Sequence, residues 1–178
     1  EILTDALSNA CKMAKTASLR LKKPIKLAPA KTVTDNVKAK PKKNPSDISM
    51  EDKITNASAI NGEILGFDKR IKSCSVDYLD LTGTNYFVNS EGSSIEQDKL
   101  YVWSRITASA QSQGVFTFTR EEIGSTAGYE VFDTSTPQVI GEMVAKRAIA
   151  QLNAKAPKGG SFPVVLGPNV VGVFVHEA

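Results

Sequence analysis

An α+β fold, with helices packed on a mixed, largely antiparallel sheet of four or more strands, is what this sequence predicts. Three observations predict it. Leu3, Leu7, Ala10, Ala14, Ala17 and Leu21 recur at alternating spacings of four and three, the stripe of an amphipathic helix. Between Ile71 and Phe118 the apolar period shortens to about two, as in half-buried strands. From Ile140 the helical spacing returns through Met143, Val144, Arg147, Ala148 and Leu152. No internal repeat interrupts this order.

The first helix is predicted from about residue 2 to 21, with Arg20, Lys22 and Lys23 favourable at its C-terminal dipole and Pro24 as its stop. A proline-rich stretch to about Pro45 follows, with an edge strand around Thr34 to Val37. Ser49, with Asp52 three residues on, resembles a capping box, and Met50, Ile54, Ala57, Ile60 and Ile64 mark a second helix closed by Gly66. Val76 and Tyr78 belong to a strand, Thr82-Gly83-Thr84-Asn85 to a turn, and Tyr86 to Val88 to the returning strand. Ser90-Glu91-Gly92 turns the chain again.

Leu100 to Ala108, alternating with Tyr101, Trp103 and Arg105, predicts a long strand, and Val115, Phe116 and Phe118 a further one after Gly114. The result is an antiparallel meander. A glycine-bearing loop leads to Ser135-Thr136-Pro137, a cap followed by a proline at a first helical position. In the third helix the stem of Arg147 can lie over apolar surface. Pro157, Gly159 and Gly160 then break the chain, Phe162 to Leu166 reads as a short buried strand, and Gly167-Pro168 leads into a last apolar segment. Pro168 can open a helix there, while the valines favour a strand. These boundaries divide the chain into a domain at 1–158 and the beginning of a second unit at 159–178.

Hydrophobic content of 41% and charged content of 23% are those of a folded globular chain. With 178 residues there is room for one moderate domain, or one and the start of another. Much of the net charge of +3 sits in Lys22, Lys23, Lys26, Lys31, Lys38, Lys40, Lys42 and Lys43. These lysines alternate with proline and alanine and lack aromatic partners, so a solvated connection is favoured over a nucleic-acid arm. Cys11 and Cys74 are too few for a disulfide framework and read as ordinary thiols. No apolar run approaches the length of a membrane span, and a cytoplasmic location is expected. Asn56-Ala57-Ser58 fits a glycosylation acceptor formally, but it falls inside a helical pattern.

The chemistry concentrates in the only histidine, His176, and the adjacent Glu177. In one zinc-hydrolase signature an imidazole binds the metal and the next residue, a carboxylate, handles the proton of a water. One such dipeptide also arises by chance, and a lone histidine on an apolar element is more often packed than ligating. Asn169 to Val175 is apolar all round, so the pair is expected to be delivered from a buried element rather than from a surface loop, and a rigid, dry support suits a metal site. Glu at position 1, and a chain ending within this signature, read as a piece of a longer polypeptide.

The string from Pro163 to Ala178, PVVLGPNVVGVFVHEA, resembles the start of the catalytic signature of the TldD/PmbA family. YFVNSEGSSIEQDKLYVWSRITASA, EEIGSTAGYEVFD and KAKPKKNPSDISMEDKI are similar to that family's sheet, the loop after it and the lead into its second helix. Active members are zinc metallopeptidases, and the family has also been described as modulators of DNA gyrase. The resemblance implies that 1–158 is an N-terminal α+β domain and 159–178 the truncated beginning of the metallopeptidase catalytic domain. It makes His176 a zinc ligand and Glu177 the catalytic base. The family's second histidine, five residues after the first, and its cysteine ligand would lie beyond Ala178. Cys11 and Cys74 do not match that cysteine's place.

Peptide substrates, a homodimer or a heterodimer with a paralogous subunit, and no membrane or nucleic-acid partner are further expectations. A non-catalytic partner subunit and a gyrase-modulating module without hydrolase activity are the alternative readings. The isolated chain, with one imidazole and one carboxylate, is expected to bind zinc weakly and to hydrolyse nothing.

Overall fold

In the computed structural model, residues 2–23 and 28–178 are described. Pro24, assigned above as a helix stop, and Lys26 of the basic cluster lie outside the described residues. Among the described residues five α-helices and a four-stranded sheet form the α+β fold. Strand β3 (Ser94–Ser112) is central, with β1 (Thr34–Val37), β2 (Ile71–Val88) and β4 (Val115–Ser125) as its neighbours.

The chain divides into two compact units. One comprises 1–37 and 86–96. Its helix α1 (Ile2–Ser18) has the predicted stripe, but Leu3 and Leu7 are exposed and the helix ends at Ser18, before Leu21. Here the predicted edge strand β1 meets the Asn89–Ser93 turn. Val33 donates its N–H to the Ser93 hydroxyl at 3.2 Å, and Ser94 donates to the Val33 carbonyl at 2.9 Å. Asn89 closes the turn by accepting the Ser93 N–H on its side chain at 2.9 Å. Gly92, with φ of 93°, takes the left-handed position there.

The other unit, 38–85 and 97–178, contains the hydrophobic core. On β3 Leu100, Val102, Ser104, Ile106, Ala108 and Ala110 are buried along one face with a period of two, and Ser109 is buried on the other face. Opposite them on β4 stand Ser125, Ile123, Glu121, Thr119 and Thr117 in antiparallel register, from Val102↔Ser125 to Ala110↔Thr117. The connection is two residues long. Gln113 and Gly114, with φ of 49° and 81°, occupy the two left-handed positions of a tight hairpin turn whose twist matches the strands.

Two sequence expectations fail within this sheet. Thr82-Gly83-Thr84-Asn85 does not turn, because β2 runs through it as one 18-residue strand. The β-branched threonines suit the strand, and side-chain bonds tie it down: Thr82 Oγ1 lies 3.2 Å from Ser46 Oγ, and Thr84 donates to Asp98 at 3.2 Å. The two strands predicted around this segment are therefore one. The glycine-bearing loop is likewise shorter than expected, since β4 continues to Ser125 and a one-turn helix α3 (Val131–Thr134) precedes the next helix.

Helices α2 (Met50–Phe67) and α4 (Pro137–Gln151) pack against each other, and their buried residues share one core with β3. Ser49 caps α2 by accepting the Asp52 N–H at 3.0 Å, and its hydroxyl donates to the Asp52 carboxylate at 2.7 Å. Gly66 does not close this helix, which continues through Phe67. Thr136 caps α4 as predicted, ahead of Pro137, and Ile140, Val144 and Ala148 are buried. Arg147 pairs with Glu121 on β4.

The two helices touch at Gly141, where an added Cβ would stand 2.5 Å from the Glu63 Cβ. Gly141→Ala gains about 1 kcal/mol of helix propensity. That clash is with a side-chain root fixed to another helix, so the overpacking cost of about 1–3 kcal/mol prevails. We expect a lowered denaturation midpoint for Gly141→Ala; an unchanged or raised midpoint would show that the helices separate freely.

Beyond α4 the chain has no regular structure until α5 (Pro168–Glu177). Phe162–Leu166 is neither a strand nor buried, which corrects the sequence reading. An isolated extended segment with no neighbouring strand has nowhere to place its backbone hydrogen bonds except solvent.

Candidate catalytic and metal-ligating residues

Pro168 occupies the first turn of α5, where its missing N–H costs nothing, so the helical reading of the last segment holds. Successive residues of a helix stand about 100° apart, so His176 and Glu177 diverge from one backbone. His176 Nε2 lies 3.9 Å from Glu177 Oε1, and the side chains are 82% and 74% exposed. Placement of the pair on a helix decides between the two readings left open by the sequence; the buried support expected for it is not found. Val170, Val173 and Phe174 are exposed along the same helix, so among the described residues nothing dehydrates the dipeptide. Hydropathy alone cannot fix what an apolar helix packs against.

A zinc site takes three protein ligands and a water when catalytic. Among the described residues no three His, Cys, Asp or Glu side chains gather in a way that could hold a metal. The donor set on these residues is one imidazole and its neighbouring carboxylate. The chain as it stands does not fit a zinc ion, and the chemistry it offers is one nitrogen ligand and one proton acceptor. Cys74 on β2 does not join them. Burial pushes the Cys74 thiol up to about 11, despite a contact with Asn61 that acts the other way, so it is an inert thiol at neutral pH.

A second polar cluster escaped the sequence reading. Lys53 on α2 reaches Asp80 on β2, Nζ to Oδ2 2.7 Å, with its own side chain only 10% exposed. Its ammonium also stands 5.7 Å from the centre of the Tyr78 ring. Burial would raise the Asp80 carboxyl, but Lys53 and the Tyr78 hydroxyl outweigh it and hold the group below the ordinary carboxylate range. For Tyr78, burial first and Asp80 second push the phenol up, so it stays protonated. These residues border a groove of about 500 Å³ rimmed by Met50, Ile54 and Leu79. The signal was present in the spacing, because Lys53 precedes Ile60 and Ile64 by seven and eleven residues on one helical stripe. Lys53 was passed over because a charged residue is normally assigned to the solvated face.

A helix-and-sheet platform followed by a helix that ends in His-Glu has the features of a metallopeptidase-family chain. Comparison with known proteins narrows that class. Residues 43–152 match the family described as the PmbA/TldA metallopeptidase central domain. A protein named metalloprotease from Methanocaldococcus jannaschii is 33% identical over the whole of this chain, which covers 39% of that protein. A metalloprotease of Methanothermobacter thermautotrophicus is 28% identical over 150 residues, 81% of this chain and 31% of its own length. The zinc metalloprotease TldD homolog of Saccharolobus solfataricus is 33% identical over 130 residues, 72% of this chain and 29% of its own length. The chain belongs to the PmbA/TldD metallopeptidase family, and it spans between 29% and 39% of the length of these relatives. Among the described residues no helix is long and apolar enough to cross a membrane.

Proposed function

We propose that the protein containing this chain is a zinc-dependent metallopeptidase that hydrolyses peptide bonds in unfolded or flexible peptides. His176 is one metal ligand and Glu177 the base that accepts the proton of the attacking water. Zinc, when bound, lowers the pKa of a coordinated water to about 7. The observation that carries this reading is the His-Glu pair at the end of α5, in a chain whose relatives are named metalloproteases. Residues 1–158 serve as the platform, and 159–178 open the catalytic domain. A cytoplasmic protein assembled as a dimer, of like subunits or with a paralogous one, fits the same reading. One long edge of the platform suits peptide capture: among the described residues β2 pairs with β3 on one side only, and strand addition needs such an edge.

Because the donors here are incomplete, the chain ending at Ala178 should lose zinc during gel filtration while the complete protein keeps it. Metal analysis of both after identical chromatography decides the matter. Equal retention would mean that the ligands lie within 1–178 and that the assignment of His176 to a larger set is wrong.

A further inference from the structure

Asn56 sits on the inward side of α2, where a polar amide must find partners at both ends. Its Nδ2 donates to the Tyr129 hydroxyl at 3.1 Å, but its Oδ1 is buried with no hydrogen-bond partner in the protein. The Tyr78 hydroxyl is in the same condition: Asp80 is near enough to influence it, yet no hydrogen bond of ordinary geometry reaches the buried oxygen. Both side chains face one small cavity, whose other walls include Lys53, Ser104 and Tyr129. It leaves about 10 Å³ for the centre of a guest molecule, close to what one water needs.

We infer that this cavity is a binding site for a single structural water, which donates to Asn56 Oδ1 and hydrogen-bonds the Tyr78 hydroxyl. Orientation of the amide does not alter the conclusion. Turned end over end, Asn56 would accept from Tyr129 and present Nδ2 to the same cavity, which a water oxygen satisfies equally well. The Lys53 ammonium in the wall disfavours a cation, and the volume admits nothing larger than water. The guest completes a chain of polar groups from Asp80 through Tyr78 and Asn56 to Tyr129, joining β2, α2 and the segment before α3. It accounts for two buried polar atoms that otherwise have no hydrogen-bond partner.

The test is a crystal structure of the complete protein at a resolution that shows ordered solvent. A single density within hydrogen-bonding distance of the residue 56 amide and the Tyr78 hydroxyl is the expected result. Asn56→Leu should empty the site, and water–protein cross-relaxation in solution should lose one long-lived water relative to the unsubstituted protein. A dry cavity, or a protein donor bonded directly to Asn56 Oδ1, would overturn the inference. The measurement on the unsubstituted protein stands even if Asn56→Leu does not fold.

Discussion

Glu177→Gln in the complete protein should lower kcat by about 10²–10⁴ while zinc content and KM stay near their original values. The amide keeps the size and hydrogen-bonding reach of the carboxylate but cannot take up a proton at neutral pH. If Glu177 is the base, the loss falls on a transition-state interaction and leaves substrate binding untouched. If His176 is a ligand, His176→Ala should behave differently, because removing an imidazole ligand would release the metal itself. The contrast between the two variants separates a catalytic carboxylate from a merely adjacent one. Turnover by Glu177→Gln close to that of the unsubstituted protein, with metal still bound, would remove Glu177 from the chemistry and leave only the ligand assignment.

The elements that could be read from the sequence were those whose local pattern and tertiary environment agree. The central strand β3 and helix α4 are of this kind: Val102, Ile106 and Ala108 alternate, Ile140, Val144 and Ala148 recur at four, and each set is buried. Thr82 to Asn85 had the composition of a turn, but its hydroxyls are claimed by Ser46 and Asp98, residues distant in sequence. No local rule contains that information. Phe162–Leu166 illustrates the reverse error, since apolar content marks a segment as able to be buried without supplying the surface that buries it. Before His176 the apolar run leaves helix and strand both open, and Pro168 in the first turn decides for the helix, while the exposure of His176 and Glu177 depends on neighbours that hydropathy does not specify.

The face of α2 provides the sharpest test of how tertiary contacts select among apolar residues. Ile64→Ala should cost about 2–5 kcal/mol in unfolding free energy, whereas Ile54→Ala should change it by no more than about 0.5 kcal/mol. By sequence the two isoleucines belong to one stripe with Met50, Ala57 and Ile60. In the structure Ile60 and Ile64 are fully buried, but Met50 and Ile54 are 69% and 58% exposed. At about 100° per residue, Ile54 stands roughly 80° round the helix from Ile64, while Lys53 and Ile64 are only about 20° apart. The ion pair of Lys53 with Asp80 on β2 therefore pins the side of the helix that carries Ile60 and Ile64 against the sheet and leaves Ile54 at the groove rim. Ile64→Ala removes buried methyl groups and opens a cavity between two packed elements, so both the transfer and the cavity contributions apply. Ile54→Ala removes surface already in contact with water. Chemical denaturation of the two variants, with equal m-values, would measure the difference directly. Equal losses for both would mean that α2 is rotated in solution and that Lys53 does not set its orientation.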